Sequence, residues 1–317
     1  AKKKTPVCAS LLADRAHTGV DEAELLGERI ARYGQAHARS LEMLDHLRGA
    51  PSPEAIKTAA GLASCGNYLH FREYFTVGKV RLHNATFCKQ HLVCPLCAIR
   101  RGAKALGAYL ARWEVIQAER PDLLPYLITL TVKNGDDLEE RQAHLTRSLR
   151  RLLDRRRNYG LPGRARPWTE LCKAEGAVYT LELTNKGNGW HPHCHMIALC
   201  ASKPSQSVLS HEWLSVTGDS MIVDCRPITG DPSEGFMEVF KYAVKFSDLS
   251  LEDNWFAAQR LKGKRLLNSF GLFRGVEIPE SLLDEPLDQL PYWDRFYRFL
   301  GGEYRFTGES PKAPDQP

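Results

Sequence analysis

The sequence lacks any apolar run of the roughly 18 residues that a membrane-spanning helix needs, so no span is expected. It also lacks an apolar segment after the opening Ala1-Lys2-Lys3-Lys4-Thr5, which argues against a secretory leader. No internal repeat is present, which excludes solenoids and propellers. Nor does one charge dominate: the formal net charge is only +5, which permits a nucleic-acid partner without demanding one. These absences point to a cytoplasmic globular chain with no membrane partner. Its 317 residues, 43% of them hydrophobic, suffice for one large domain or two small ones with a sizeable core. In that compartment the nine cysteines are expected to be reduced, and clustered ones read better as metal ligands than as disulfides.

Patterning divides the chain into four segments. Residues 1–60 form an N-terminal segment whose apolar spacing predicts a helix over 21–47 and a shorter one over 55–62, with Gly49, Pro51 and Pro53 between them. Residues 61–120 combine four cysteines and short strand-like runs (68–71, 79–82) with a helix from about 99 to 119, stopped by Pro121. Residues 121–250 are regular. Strands are expected at 126–132, 177–184, 191–199 and 221–226, and helices at 137–157, 205–216 and 233–246. That β-α-β-β-α-β-α order fits an α+β fold, a four- to five-stranded antiparallel sheet with helices on one face. Residues 251–317 read as a basic helix-like segment and a polar, proline-containing tail.

Histidine is scarce, with eleven in all, yet three alternate in Trp190-His191-Pro192-His193-Cys194-His195-Met196. On a strand, alternate residues share a face. His191, His193 and His195 therefore line one face, and neutral imidazole is a common metal ligand. A polar strand edge is the plainer reading. The stretch Thr184-Asn185-Lys186-Gly187-Asn188-Gly189 is a turn signal. If a hairpin closes about Gly187-Asn188, residue 184 pairs with 191 and Glu182 sits opposite His193. Mixed nitrogen and oxygen ligation suits Mg²⁺ or Mn²⁺ acting as a Lewis acid, with Zn²⁺ also compatible.

Further on, Glu238 and Tyr242 lie four apart on a helical pattern, with Lys241 and Lys245 near them. An amphipathic surface helix would look the same. Beside a metal strand, however, Tyr242 becomes a candidate nucleophile and Glu238 a general base. A phenol with an ordinary pKa of about 10 gains from a nearby cation, and a metal-bound phosphate is a better electrophile.

Together these elements resemble the HUH-endonuclease initiators of rolling-circle plasmid replication. The resemblance covers about residues 60–275. It rests on Leu127-Ile128-Thr129-Leu130-Thr131-Val132-Lys133-Asn134, Leu181-Glu182-Leu183-Thr184, His191-Pro192-His193-Cys194-His195 and Glu238-Val239-Phe240-Lys241-Tyr242, in the family's order. It implies an RRM-like sheet and an endonuclease domain over 121–250. His193 and His195 would be paired metal ligands, Glu182 the third and His191 an accessory residue. Tyr242 would attack the scissile phosphate to give a 5′-phosphotyrosyl link, Glu238 would activate water at termination, and Lys241 and Lys245 would neutralise phosphate. Cys194 departs from the bulky apolar residue usual there.

The same family's N-terminal segment resembles the cysteine module. Cys94-x-x-Cys97 has zinc-knuckle spacing, with Cys65 and Cys88 as the remaining ligands or His91 in place of one thiolate. The cysteines at 172, 200 and 225 read as core. The implied partners are single-stranded DNA, a plasmid double-strand origin, and a host helicase and DNA polymerase. Three basic clusters suggest a phosphate-tracking groove: Arg100, Arg101 and Lys104; Arg147, Arg150, Arg151, Arg155, Arg156 and Arg157; and Lys262, Lys264 and Arg265. Tyr68, Trp190 or Trp255 could stack on unpaired bases. Relaxases usually place the tyrosine before the histidines, opposite to the order here. A transposase of the superfamily, or a non-catalytic zinc-dependent regulator, are the competing readings.

Overall fold

The structure, a computed structural model, describes residues 25–50, 52–163, 166–241, 246 and 248–312. Cys8, Tyr242 and Lys245 lie outside the described residues. Seven α-helices occur among the described residues: α1 Leu26–Arg48, α2 Pro53–Ser64, α3 Pro95–Glu119, α4 Leu138–Asn158, α5 Gln206–Thr217, α6 Pro232–Phe240 and α7 Leu251–Leu261. The strands are β1 Tyr68–Tyr74, β2 Lys79–Asn84, β3 Leu124–Thr131, β4 Ala174–Asn185, β5 Trp190–Cys200, β6 Val223–Pro227, β7 Leu267–Gly271, β8 Tyr292–Leu300 and β9 Glu303–Lys312. Local signals start the helices. Ser52 caps Ala55 N at 3.1 Å with Pro53 following it, Asp137 caps Glu140 N at 3.0 Å, and Asp231 caps Ser233 N at 2.9 Å ahead of Pro232.

The chain divides into two compact units, one drawn from Ala1–Lys104, Ser250–Trp255 and Pro279–Pro317, the other from Ala105–Leu249 and Phe256–Ile278. The second holds a five-stranded antiparallel sheet in the order β6-β3-β5-β4-β7. Its first four strands, read along the chain, have the 4-1-3-2 order of a ferredoxin-like sheet, as the α+β reading implied. The crossover helices α4 and α5 pack together, Ser148 Oγ donating to Val216 O at 3.4 Å. The covering is fuller than expected. On one face Leu127, Val178, Ile197 and Leu199 pack with Tyr109, Trp113 and Ile116 of α3, with Phe236, Val239 and Phe240 of α6, and with Phe273. The alternate residues Ile128, Leu130, Leu181, Cys194 and Met196 are buried as well. Cys194 itself is fully buried.

The first unit holds a four-stranded antiparallel sheet, β2-β1-β8-β9. Helix α1 covers the face bearing Leu69 and Phe71: His37 meets Phe299 edge-on at 4.2 Å and Arg29 lies over the Phe71 ring at 5.3 Å. Strands β7, β8 and β9 stand where a basic segment and polar tail were expected. Aromatic and charged residues alternate poorly in Tyr292-Trp293-Asp294-Arg295-Phe296-Tyr297-Arg298, which hides the period of two. The hairpin signal was Gly301-Gly302, both at positive φ.

Arg100 corrects another expectation. Far from offering its charge to solvent, it is buried, donating to Leu282 O at 2.8 Å and Tyr33 OH at 2.9 Å and pairing with Asp284. Asp284 also accepts from Arg29 and from Leu82 N, each at 2.8 Å. Burial alone would raise its carboxyl, but Arg100 and Arg29 hold it well below the usual carboxylate range. A depressed native pKa stabilises the fold above the unfolded value, about 4, and that stability fades as pH falls below it. Asp284→Ala would leave Arg100 buried without its counter-ion, at a cost of about 3–5 kcal/mol. Urea denaturation at neutral pH should show that loss, and the wild-type advantage should shrink in acid.

Candidate metal centres

The β4–β5 hairpin builds the first site. Gly187 and Gly189 both adopt φ of +86°, and a Cβ on Gly189 would stand 2.8 Å from Gly135 O, so the turn requires glycine. The turn fixes the register, and Glu182 pairs with His193 and Thr184 with His191, as the turn signal predicted. Pro192 is tolerated because the pairing of β5 with β3 ends at His193, so its missing N–H interrupts no bond on that side.

Along one sheet face the side chains change character in steps. Leu127, Ile197 and Val178 lie abreast in the core; Thr129, His195 and Thr180 come next, then Thr131, His193 and Glu182. Where apolar packing stops, the ligand-type side chains begin. Glu182 is 0% exposed, and its Oε2 lies 3.2 Å from His193 Nε2 and 3.5 Å from His195 Nε2. Burying a carboxylate in this way demands positive compensation. His193 Nδ1 lies 3.3 Å from His191 O, and His195 Nδ1 lies 3.1 Å from Thr129 Oγ1. A proton on each Nδ1 leaves each Nε2 lone pair directed at the carboxylate, the arrangement metal-binding histidines use. One imidazole nitrogen from each histidine and one Glu182 oxygen all fall within 4.8 Å of one another. Cis ligands of an ion with bonds of about 2.1 Å stand about 3.0 Å apart, so the donor set fits a divalent cation.

His191 stands apart from this trio. Its Nδ1 donates to Asn134 Oδ1, and burial, then His193, lower its pKa. Thr129, Thr180 and Asn134 support the site without having been singled out; only their shared strand face could have signalled the two threonines. Thr180, opposite His195, donates through Oγ1 to Val239 O of α6 at 3.1 Å. This bond anchors the end of α6 beside the histidines. Glu238, one residue earlier, is half-buried and paired with Lys241.

The second site lies in the first unit. Cys65, Cys88, Cys94 and Cys97 converge without His91. Sγ separations for 65–94, 65–97 and 88–97 are each 3.6 Å. A tetrahedron with zinc–sulfur bonds of about 2.3 Å has edges of about 3.8 Å, so four thiolates here fit zinc. Gly66 makes room: a Cβ there would stand 2.3 Å from Leu96 Cδ2. Hydrogen bonds from Cys65, Cys88 and Cys97 hold the Cys94 thiol well below its usual range, and the same cluster raises Cys65 and Cys97. A cation among the four sulfurs would favour the thiolate form that zinc ligation needs. Ser40 Oγ at 3.4 Å from Cys94 Sγ and Cys88 N at 3.4 Å from Cys65 Sγ add support. Cys200 and Cys225 are buried and Cys172 is half-buried.

The basic clusters dissolve in part. Arg156 donates to Ala174 O at 2.7 Å, Arg155 to Ser215 Oγ at 2.8 Å and Arg151 to Val216 O at 3.3 Å. Arg147, Arg150, Lys262 and Arg265 remain exposed. Trp190 is buried against Phe256, with ring centroids 6.0 Å apart, so it offers no face to a base.

No helix among the described residues is long and apolar enough to cross a membrane. No solved structure matches the chain. A relative named Protein rep from a Bacillus species is 27% identical over 286 residues, 78% of this chain and 88% of that protein. Another of that name, from Bacillus amyloliquefaciens, is 25% identical over 314 residues, covering 87% of each chain. A third, from Lactiplantibacillus plantarum, is 26% identical over 220 residues, 63% of this chain and 65% of that protein. The family model Rep_1, described as Replication protein, matches residues 79–295, more than half of the sequence, and the chain therefore belongs to that family of replication proteins.

Proposed function

We propose that this chain initiates rolling-circle replication of a plasmid by nicking, and later rejoining, one DNA strand at its origin. The observation that carries this reading is the buried Glu182–His193–His195 group, with the end of α6 tied beside it through Thr180. Tyr242 follows Val239 by three residues, and three residues of chain span at most about 11 Å.

Glu182, His193 and His195 would hold Mg²⁺ or Mn²⁺, with His191 and Asn134 as accessory residues. When bound, such an ion polarises the scissile phosphate. The Tyr242 phenol gives up its proton and its oxygen attacks phosphorus. The bond to the 3′ oxygen breaks, and that oxygen takes up a proton. The products are a 5′-phosphotyrosyl link and a free 3′-hydroxyl, which a host polymerase can extend behind a helicase. At termination Glu238 takes the proton from a water that attacks the regenerated origin phosphate, and the bond to that phosphate's 3′ oxygen breaks. The freed 3′-hydroxyl attacks the phosphotyrosyl phosphorus, and the Tyr242 oxygen leaves and takes up a proton, so the strand is rejoined and one tyrosine suffices. Lys241 and Lys245 offset phosphate charge. The four cysteines would hold a structural Zn²⁺ that ties the segment after α2 to the start of α3.

Three outcomes follow. Incubated with Mn²⁺ and labelled single strands tiling the replicon that encodes it, the chain should form a covalent adduct on a denaturing gel. Tyr242→Phe should abolish it; an adduct that persists in the variant, or none in the wild type, refutes the reading. Thr129→Val, which removes the partner of His195 Nδ1, should weaken Mn²⁺ binding about 10–100-fold by titration calorimetry while leaving the fold intact. Metal analysis should find one tightly held zinc per chain that survives dialysis and disappears in Cys97→Ser. Zinc alone, with no exchangeable second metal and no adduct, would instead favour a non-catalytic regulator.

A further inference from the structure

The four-stranded sheet of the first unit has a second face, opposite the one that α1 covers. Strand alternation and the observed register place Tyr68, His70 and Arg72 of β1 on it, opposite Arg298, Phe296 and Asp294 of β8. Across the outer pairs, Arg81 stands opposite Arg72 and Arg305 opposite Arg298. Two features of this face call for a ligand.

The first is aromatic surface. Tyr68 is 37% and Phe296 36% exposed, although both lie within the sheet. His70 stacks on the Phe296 ring at 4.5 Å, and its Nε2 is fixed by the buried Asp294 at 2.6 Å, so the Phe296 ring rests on a held base. Beside it Tyr68, Phe296, Arg298 and Thr307 line an open depression of about 400 Å³, a volume within the range of small-ligand pockets. The second feature is charge. Like charges directly opposite on neighbouring strands repel, and here two arginine pairs are so placed. Among the described residues, two acids face Arg72, Arg298 and Arg305. Asp294 is shared by His70 and Arg72, and Glu303 pairs with Arg305 at the exposed rim. Arg298 is exposed and makes no ion pair among the described residues.

Exposed rings interleaved with arginines match one class of partner. A polynucleotide strand supplies phosphates at regular intervals and flat bases between them. A duplex keeps its base faces stacked on one another, so only an unpaired strand can use the rings. We propose that this sheet face is a docking platform for an unpaired DNA strand, with a base stacked on Phe296 and flanking phosphates on Arg298 and Arg305. The proposal rests on the replication reading only for the ligand being DNA; it requires no nicking at the histidine site.

The test is fluorescence anisotropy of a labelled oligothymidylate with the full chain and no added divalent metal. Phe296→Ala should weaken binding about tenfold, the loss of one stacked base, while Phe296→Tyr, which keeps a ring, retains it. The double variant Arg298→Ala/Arg305→Ala should also bind more weakly. Its log–log salt dependence should fall by about 1.4, the share of two phosphates on a single strand. A duplex of matching length should be insensitive to Phe296→Ala. Unchanged affinity in both the ring and the arginine variants would overturn the proposal. So would an equal loss for duplex and single strand on removing the ring. Circular dichroism checks the fold, and the arginine pair, being on the surface, remains informative if Phe296→Ala does not fold. Shifts in these affinities alongside a wild type that forms no adduct would sink the nuclease reading and leave the platform. Unchanged affinities alongside a normal adduct would sink the platform alone.

Discussion

The pairing of Glu182 with His193 across one antiparallel hairpin is the constraint on which the candidate centre rests. Side chains on a strand alternate, so a slip of one residue would turn Glu182 to the other face and break the group. Register is therefore held at both ends. Glycines at positive φ close the turn, and at the far end Val178 and Ile197 are locked into the core with Leu127. The same face that buries apolar side chains continues without interruption into the ligand group. Core packing thus sets the position of the imidazoles, and their Nδ1 partners set which nitrogen is available.

That continuity also governs how the helix bearing Glu238 meets the strand bearing the histidines. Phe236, Val239 and Phe240 occupy the core next to Leu127 and Val178, and Thr180 bonds the backbone of Val239. Val239, the neighbour of Glu238, and Thr180, the neighbour of His195 across the sheet, are 59 residues apart in sequence and are joined by one hydrogen bond over a shared apolar contact surface. A buried carboxylate between two imidazoles is costly to assemble without a cation. The site thus joins a stability demand to the chemistry proposed for it.

The first unit solves a different problem with different means. Its helices and four-stranded sheet enclose an apolar core that includes Leu44, Leu62, Leu69, Phe71 and Leu82. Buried polar groups take part in holding it. Asp284 gathers Arg29, Arg100 and Leu82 N, and four sulfurs converge between the end of α2 and the start of α3. Both arrangements link stretches remote in sequence. With α1 on one face, the sheet carries Tyr68, Phe296 and Arg298 exposed on the other.

Local information was enough for much of this molecule. Alternating histidines, the glycine-rich turn and the odd charge of Glu182 inside an apolar strand each report on nearest neighbours, and from them came the hairpin register and the α+β order. Close spacing made Cys94 and Cys97 legible as a pair. Other features were decided by partners far along the chain. Arg100 read as one more exposed charge until Asp284, 184 residues away, claimed it. Trp190 looked free to stack until Phe256 covered it. Strands β8 and β9 escaped notice because both of their faces carry rings and charges, and period-two patterning appears only when one face is dry and the other wet. Sequence determines what each short segment can become; which charges are buried, and which rings stay open, is settled only when distant segments compete for the same space.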